Sequence, residues 1–156
     1  MKKYYKILIL SILILPCILI ASCGTINVAG KTFKYGGVAI DWGTATDANK
    51  NAIYAEYQVE SDTELLNVFK TRNNRNNRVT TFGTDGKYTT KNEDNEILDS
   101  GFYRQNETQI LLAETKEGLD EDTAYTLTAN NKGYIVTIEL NSETQTYIKY
   151  QYVVMD

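Results

Sequence analysis

The residues that could do chemistry in this 156-residue chain sort quickly, because histidine is absent. Without imidazole there is no Ser-His or Cys-His nucleophile pair, and no His-containing zinc or haem ligand set. Ser61, Ser100 and Ser142 therefore have no histidine to activate them. The chain carries 20 Asp and Glu. A glycosidase needs two carboxyl groups about 5–10 Å apart across a cleft, and none of these acids sits in a distinctive motif. Two runs, Asn92-Glu93-Asp94-Asn95-Glu96 and Asp120-Glu121-Asp122, are dense in oxygen ligands. A calcium loop alternates its ligands around a sharp glycine turn and ends on a distal Glu. Neither run has that spacing, so both read as solvated acidic turns. These residue types lead us to expect a protein that is not an enzyme and uses no cofactor or metal.

Three groups of side chains remain as candidates for binding or attachment. Arg72, Arg75 and Arg78 recur every third residue among four asparagines. They could meet phosphate, lipopolysaccharide or teichoic acid, or simply form a solubilising loop. Tyr103, Tyr125, Tyr134, Tyr150 and Tyr152 fall on segments with strand periodicity. Inside a small barrel such rings line a pocket for an apolar ligand or fill the core, and both readings stand. The third candidate is Cys23. It follows Ile20-Ala21-Ser22, which follow a lysine-rich start (Met1 to Lys6) and an apolar run, Ile7 to Ile20, broken only by Ser11 and Pro16. That run is shorter than the roughly 20 residues a membrane-spanning helix needs. The arrangement resembles the signal peptide and lipobox of bacterial lipoproteins. The resemblance implies that a diacylglyceryl group joins the Cys23 sulfur, that cleavage follows Ser22, and that Cys23 becomes a lipid-bearing N-terminus. Two or three acyl chains, at about 0.8 kcal/mol per buried CH₂, anchor stably where one would not.

On this reading residues 1–22 are a signal peptide, 23–30 a lipidated tether and 31–156 the folded domain. Cleavage removes three lysines and no acid, so a net charge of −4 becomes −7. An acidic domain disfavours nucleic acid and anionic lipid as partners for the fold itself. Cys23 is the only cysteine left, since Cys17 lies in the signal, so no disulfide staples the domain.

The elements that must position the tyrosines and arginines follow from period. Lys31 to Trp42 alternates, with an interruption at Gly36-Gly37 that has the form of a β-bulge. Asp47 to Lys70 has neither Gly nor Pro. It reads as two short helices, 47–58 with Asp47 as N-cap and 62–70 behind the capping-box spacing Ser61-x-x-Glu64. From Arg78 onward the period is two. Asp85-Gly86, Asn106-Glu107, Asn130 to Gly133 and Asn141 to Thr146 mark turns. Short connections make neighbouring strands antiparallel. Eight such strands close into an up-and-down barrel that leaves no exposed edge. The fold expected is therefore mainly β, an eight-stranded antiparallel barrel with a two-helix insert at about 47–70 after the first strand.

Several stretches are similar to the lipocalin-like domains of small bacterial lipoproteins: Gly30-Lys31-Thr32-Phe33, Phe82 with Asp85-Gly86, Gly101-Phe102-Tyr103 with Ile110 and Leu112, and Tyr147-Ile148-Lys149-Tyr150. The resemblance spans residues 30–155 and implies a non-enzymatic, membrane-anchored envelope protein that faces outside the cytoplasm and binds a small apolar ligand. The G-x-W of animal lipocalins is missing, and no ligand-binding residue carries over. The alternative is a filled barrel that binds or inhibits another envelope protein. Gly24 in place of Asp after the lipidated cysteine points to an outer membrane if the host has one. Replacing the attachment residue, Cys23→Ser, is expected to leave the chain uncleaved or released. Fractionation with intact-mass measurement checks this, and a mature-sized mutant retained in membranes would contradict it.

Overall fold

Period-two alternation places one residue in two on an interior face, and the structure, a computed structural model, closes that face on itself. It describes residues 24–155; Cys23 and the signal segment lie outside the described residues. The strands are β1 (Lys31–Asp41), β2 (Val79–Phe82), β3 (Lys87–Lys91), β4 (Ile97–Asn106), β5 (Gln109–Ala113), β6 (Tyr125–Ala129), β7 (Gly133–Asn141) and β8 (Thr146–Val154). They form a closed antiparallel barrel in sequence order, with β1 pairing β8. The helices α1 (Asp47–Tyr57) and α2 (Asp62–Thr71) follow β1. The β1 ladder shifts register between Tyr35 and Gly37. That bulge lets Phe33 before it and Val38 and Ile40 after it pack on the same core.

Helix starts obey capping chemistry, with one displacement from expectation. Thr46, not Asp47, caps α1. Its hydroxyl accepts from the Asn49 amide, and the Asn49 side chain accepts in return from the Thr46 amide. Asp47 sits in the first turn, where a negative charge faces the helix's positive end. Ser61 caps α2 as the spacing predicts, accepting from the Glu64 amide at 3.3 Å. Glu64 reaches back to the Glu60 amide, one residue before the cap. α2 buries Leu65 and Phe69 against the barrel. β4 begins at Ile97, four residues earlier than the Gly101 start that sequence period suggests.

The chain before β1 is not a free tether. Val28 is fully buried. The Ile26 amide donates to the Asn130 carbonyl at 2.9 Å, and the Gly30 amide to Phe82 at 2.8 Å. Gln105 clasps the segment from both sides, accepting from the Val28 amide and donating to the Ile26 carbonyl. The turns it touches, near Phe82, Gln105 and Asn130, all lie at the same end of the barrel, so Ile26–Gly30 straps that end shut. A short apolar side chain with a deep enough burial site overrides a weak local pattern; only Gly24 and Thr25 stand outside this strap.

Aromatic rings fill the strapped half. Phe82 is fully buried and meets Phe33, Tyr103 and Tyr134 at ring-centroid distances of 5.7, 4.9 and 5.7 Å, all near edge-to-face. Such pairs add to what burial alone contributes. Phe82→Ala should cost about 3–5 kcal/mol, a large share of a typical 5–15 kcal/mol total. The exposed Ile97→Ala should stay within about 0.5 kcal/mol of wild type. Urea unfolding midpoints at constant m-value check both.

Candidate functional site

Strand lengths decide where the barrel is open. β5 ends at Ala113, paired with Phe102 of β4. The first half of β4, Ile97 to Ser100, therefore pairs only with β3. β6 shares just two residue pairs with β7, Thr128–Ile135 and Ala129–Tyr134. The wall is thus incomplete at the end opposite the strap, around the first half of β4 and the start of β6. The β5–β6 connection bridges part of the gap. A 3-10 turn at Glu117–Asp120 holds it there, with Arg104 donating to the Asp120 carboxylate at 2.7 Å and to the Leu119 carbonyl at 2.9 Å.

Two adjoining spaces result. A cleft of about 440 Å³ lies against Tyr88, Asp99, Leu112, Glu114, Glu121 and Tyr125. A smaller cavity of about 90 Å³ continues into the lumen, among Thr80, Thr90, Tyr134, Val136, Tyr152 and two arginines, Arg75 and Arg78. Asp99, Leu112 and Tyr125 belong to both. The floor is the aromatic core, with Tyr134 and Tyr152 stacked at 5.0 Å. Thr80 and Thr90 share a buried hydroxyl–hydroxyl bond of 2.9 Å across β2 and β3.

The arginines reach this space because of two asparagines. Asn73 and Asn74 both take left-handed backbone angles, φ 56° and 51°, inside the 3-10 segment Arg72–Asn77. Asparagine tolerates this region better than most residues. Arg75 then lies over the ring of Tyr150, 4.9 Å from its centroid. The Arg78 guanidinium donates one Nη2 bond to the Asn73 carbonyl at 2.9 Å, while its Nε is buried without a partner. Arg72 turns away and covers Phe69. Among the described residues, none of the ion pairs includes Arg75 or Arg78. Asp99, the one acid among the smaller cavity's lining residues, accepts from the Tyr88 hydroxyl at 3.0 Å.

The five tyrosines divide. Tyr103 and Tyr150 are core, their hydroxyls donating to the carbonyls of Gly83 and Phe69. Tyr134 and Tyr152 are also buried, yet their upper edges line the small cavity, and the Tyr152 hydroxyl donates to the Arg75 carbonyl. Tyr125 is 48% exposed at the mouth. Cys23 lies outside the described residues. Sequence reasoning missed Tyr88, Asp99, Thr80 and Thr90 as neighbours. It left Arg75 and Arg78 between a binding role and a solubilising one, and the three-residue spacing was the available signal. The acidic runs are accounted for by turns: Asn92 binds the amides of Asp94 and Glu96 through its side chain. No group of three or more metal-ligating side chains gathers among the described residues.

Burial pushes the phenols of Tyr88, Tyr134, Tyr150 and Tyr152 up, with the Asp99 carboxylate adding to the shift at Tyr88. Arg75 pulls the other way on Tyr134, Tyr150 and Tyr152 without overcoming burial. In the unfolded chain these phenols ionise near pH 10. Above that pH the unfolded state holds fewer protons than the folded one, so stability is full below pH 10 and falls as pH rises. Tyrosinate absorbance and circular dichroism should therefore change together on alkaline titration for this buried set. Ionisation of all tyrosines in a still-folded protein would show that solvent reaches them. Compared with known proteins, the chain matches no family model, no curated protein and no solved structure.

Proposed function

We propose that this is a lipid-anchored, non-enzymatic lipoprotein of the bacterial envelope, with a lipocalin-like barrel that holds a small ligand at its open end. The observation that carries the ligand half is that the 440 Å³ cleft and the 90 Å³ lumen cavity adjoin, with Asp99, Leu112 and Tyr125 lining both. A concave, aromatic-lined space with a few convergent polar groups is the usual form of a small-molecule site. The filled lower lumen limits the ligand to something short. The membrane half rests on Met1 to Cys23. With only Gly24 and Thr25 between Cys23 and Ile26, a lipid on Cys23 would hold the strapped end within about 10 Å of the lipidated residue. Among the described residues no helix is long and apolar enough to cross a membrane.

A second reading has its own observation. Ile97, Leu98 and Met155 are exposed, at 64%, 44% and 41%. Ile97 and Met155 also line an outer groove with Val79. A barrel that serves as a rigid platform for another envelope protein would use such a surface. Native mass spectrometry of the lipidated protein, extracted from its own membranes in mild detergent, separates the two. A reproducible non-covalent mass that departs on denaturation supports the ligand reading. A protein carrying only its covalent lipid shifts the weight to the platform.

A further inference from the structure

We propose that the lumen cavity is an anion site, in which Arg75 and Arg78 receive the acidic head of a small organic acid while its apolar body lies against Tyr125 and Leu112. This rests on the small-ligand reading above and names the ligand's class.

The argument begins with the arginines' position. A guanidinium is always charged and offers five N–H donors in a planar fork. Both arginines are half-buried beside Tyr134, Tyr152, Val136 and Leu127, and the part withdrawn from water, the Arg78 Nε above all, carries a desolvation cost that an acceptor would offset. The Tyr150 ring under Arg75 offers a cation–π contact. The Arg75 guanidinium also meets the Tyr152 phenol, and Arg78 gives one Nη2 donor to the Asn73 carbonyl, so each five-donor fork keeps part of its capacity. Neither arginine forms an ion pair among the described residues, and the Arg78 Nε has no acceptor there. Buried donors of this kind are satisfied in nearly all proteins. A planar carboxylate matches the guanidinium fork with two parallel bonds.

Size and polarity narrow the class further. About 90 Å³ admits an acidic head and a few further atoms, not a long chain. The rest of the ligand emerges past Leu112 and the half-exposed Tyr125 ring, which present apolar faces. The rim beyond carries Asp99, Glu114 and Glu121. Those carboxylates repel a second acidic group, so a monoacid is favoured over a diacid. Asp99 also competes for the arginines. Its bond to Tyr88 holds it on the cleft side, and its negative charge should weaken anion binding.

The test uses the lipidated full-length protein in detergent, labelled with ¹⁵N, and two probes of nearly equal shape, benzoate and benzyl alcohol. Benzoate should shift the Arg78 Nε–H and Arg75 Nε–H resonances and the Leu112 and Tyr125 amides; benzyl alcohol should shift only the latter pair, and bind more weakly. Arg78→Met and Arg75→Met should each lose about tenfold or more in benzoate affinity, as expected for charged hydrogen bonds, with benzyl alcohol unaffected. Arg78→Lys, which keeps the charge and loses the fork, should recover only part. Asp99→Asn should bind benzoate several-fold more tightly. If benzoate binds without moving either arginine, or binds the methionine variants equally well, the anion site is wrong. If benzyl alcohol then still reaches Tyr125 and Leu112, the ligand pocket survives that failure. If neither probe moves any of these resonances in wild type, the small-ligand reading falls with it.

Discussion

Closure of the sheet between β1 and β8 is the constraint on which everything else depends. β1 has eleven residues, and β2, its other neighbour, has four. Only Lys31 to Lys34 pair with β2, while Phe33 to Asp41 pair with β8. The upper half of β1 is therefore an edge on its β2 side, with unpaired backbone groups that need covering. The helical insert leaves β1 and returns to β2 across this gap, with α2 and the 3-10 segment packed against β1. The same segment delivers Arg75 and Arg78 to the lumen. The short β2 and the arginine-bearing cover are two sides of one solution.

The lumen is then divided by chemistry along its axis. Toward the strap, Phe33, Phe82, Tyr103 and Tyr134 pack as a conventional core. The Tyr103 hydroxyl donates to the Gly83 carbonyl, so its polar tip adds little penalty. Toward the open end Thr80, Thr90, Asp99 and the guanidiniums join Leu112, Leu127 and Val136 in the lining. The half-buried guanidiniums bring positive charge to the edge of an aromatic cavity.

Much of this was legible in the sequence because it is local. Period-two alternation, Asp-Gly turns and short connections specify eight antiparallel strands and their closure. The interruption at Gly36-Gly37 marks the bulge, and Ser61-x-x-Glu64 marks the start of α2. The features that were not legible depend on distant partners. Val28 is one apolar residue in an unpatterned stretch, and it becomes core only because Gln105 and Asn130 fix the strap. Asp47 and Thr46 are both good caps, and the reciprocal bond from Asn49 decides between them. The early start of β4 at Ile97 comes from pairing with β3, since Ile97 and Leu98 are exposed and carry no alternation of burial. The Asn/Arg run has the composition of a solvated loop. Its direction into the barrel depends on two left-handed asparagines that no periodicity announces.

The two ends of the barrel constrain the route a ligand can take. The chain enters across the strapped end, where Val28, Phe33 and Phe82 are fully buried. No path to the lumen cavity passes that layer without unpacking the core, at a cost of several kcal/mol. If Cys23 carries lipid, the strapped end is the one held near the bilayer, and the cleft beside Tyr125 faces away from it. A ligand would then arrive from the aqueous phase rather than from the membrane beneath. That direction favours a molecule with appreciable solubility in water, and the polar, cationic interior of the open half fits such a molecule better than a lipid tail. A lipid on Cys23 would then set where the barrel is held, with the cleft beside Tyr125 open to the solution on the far side.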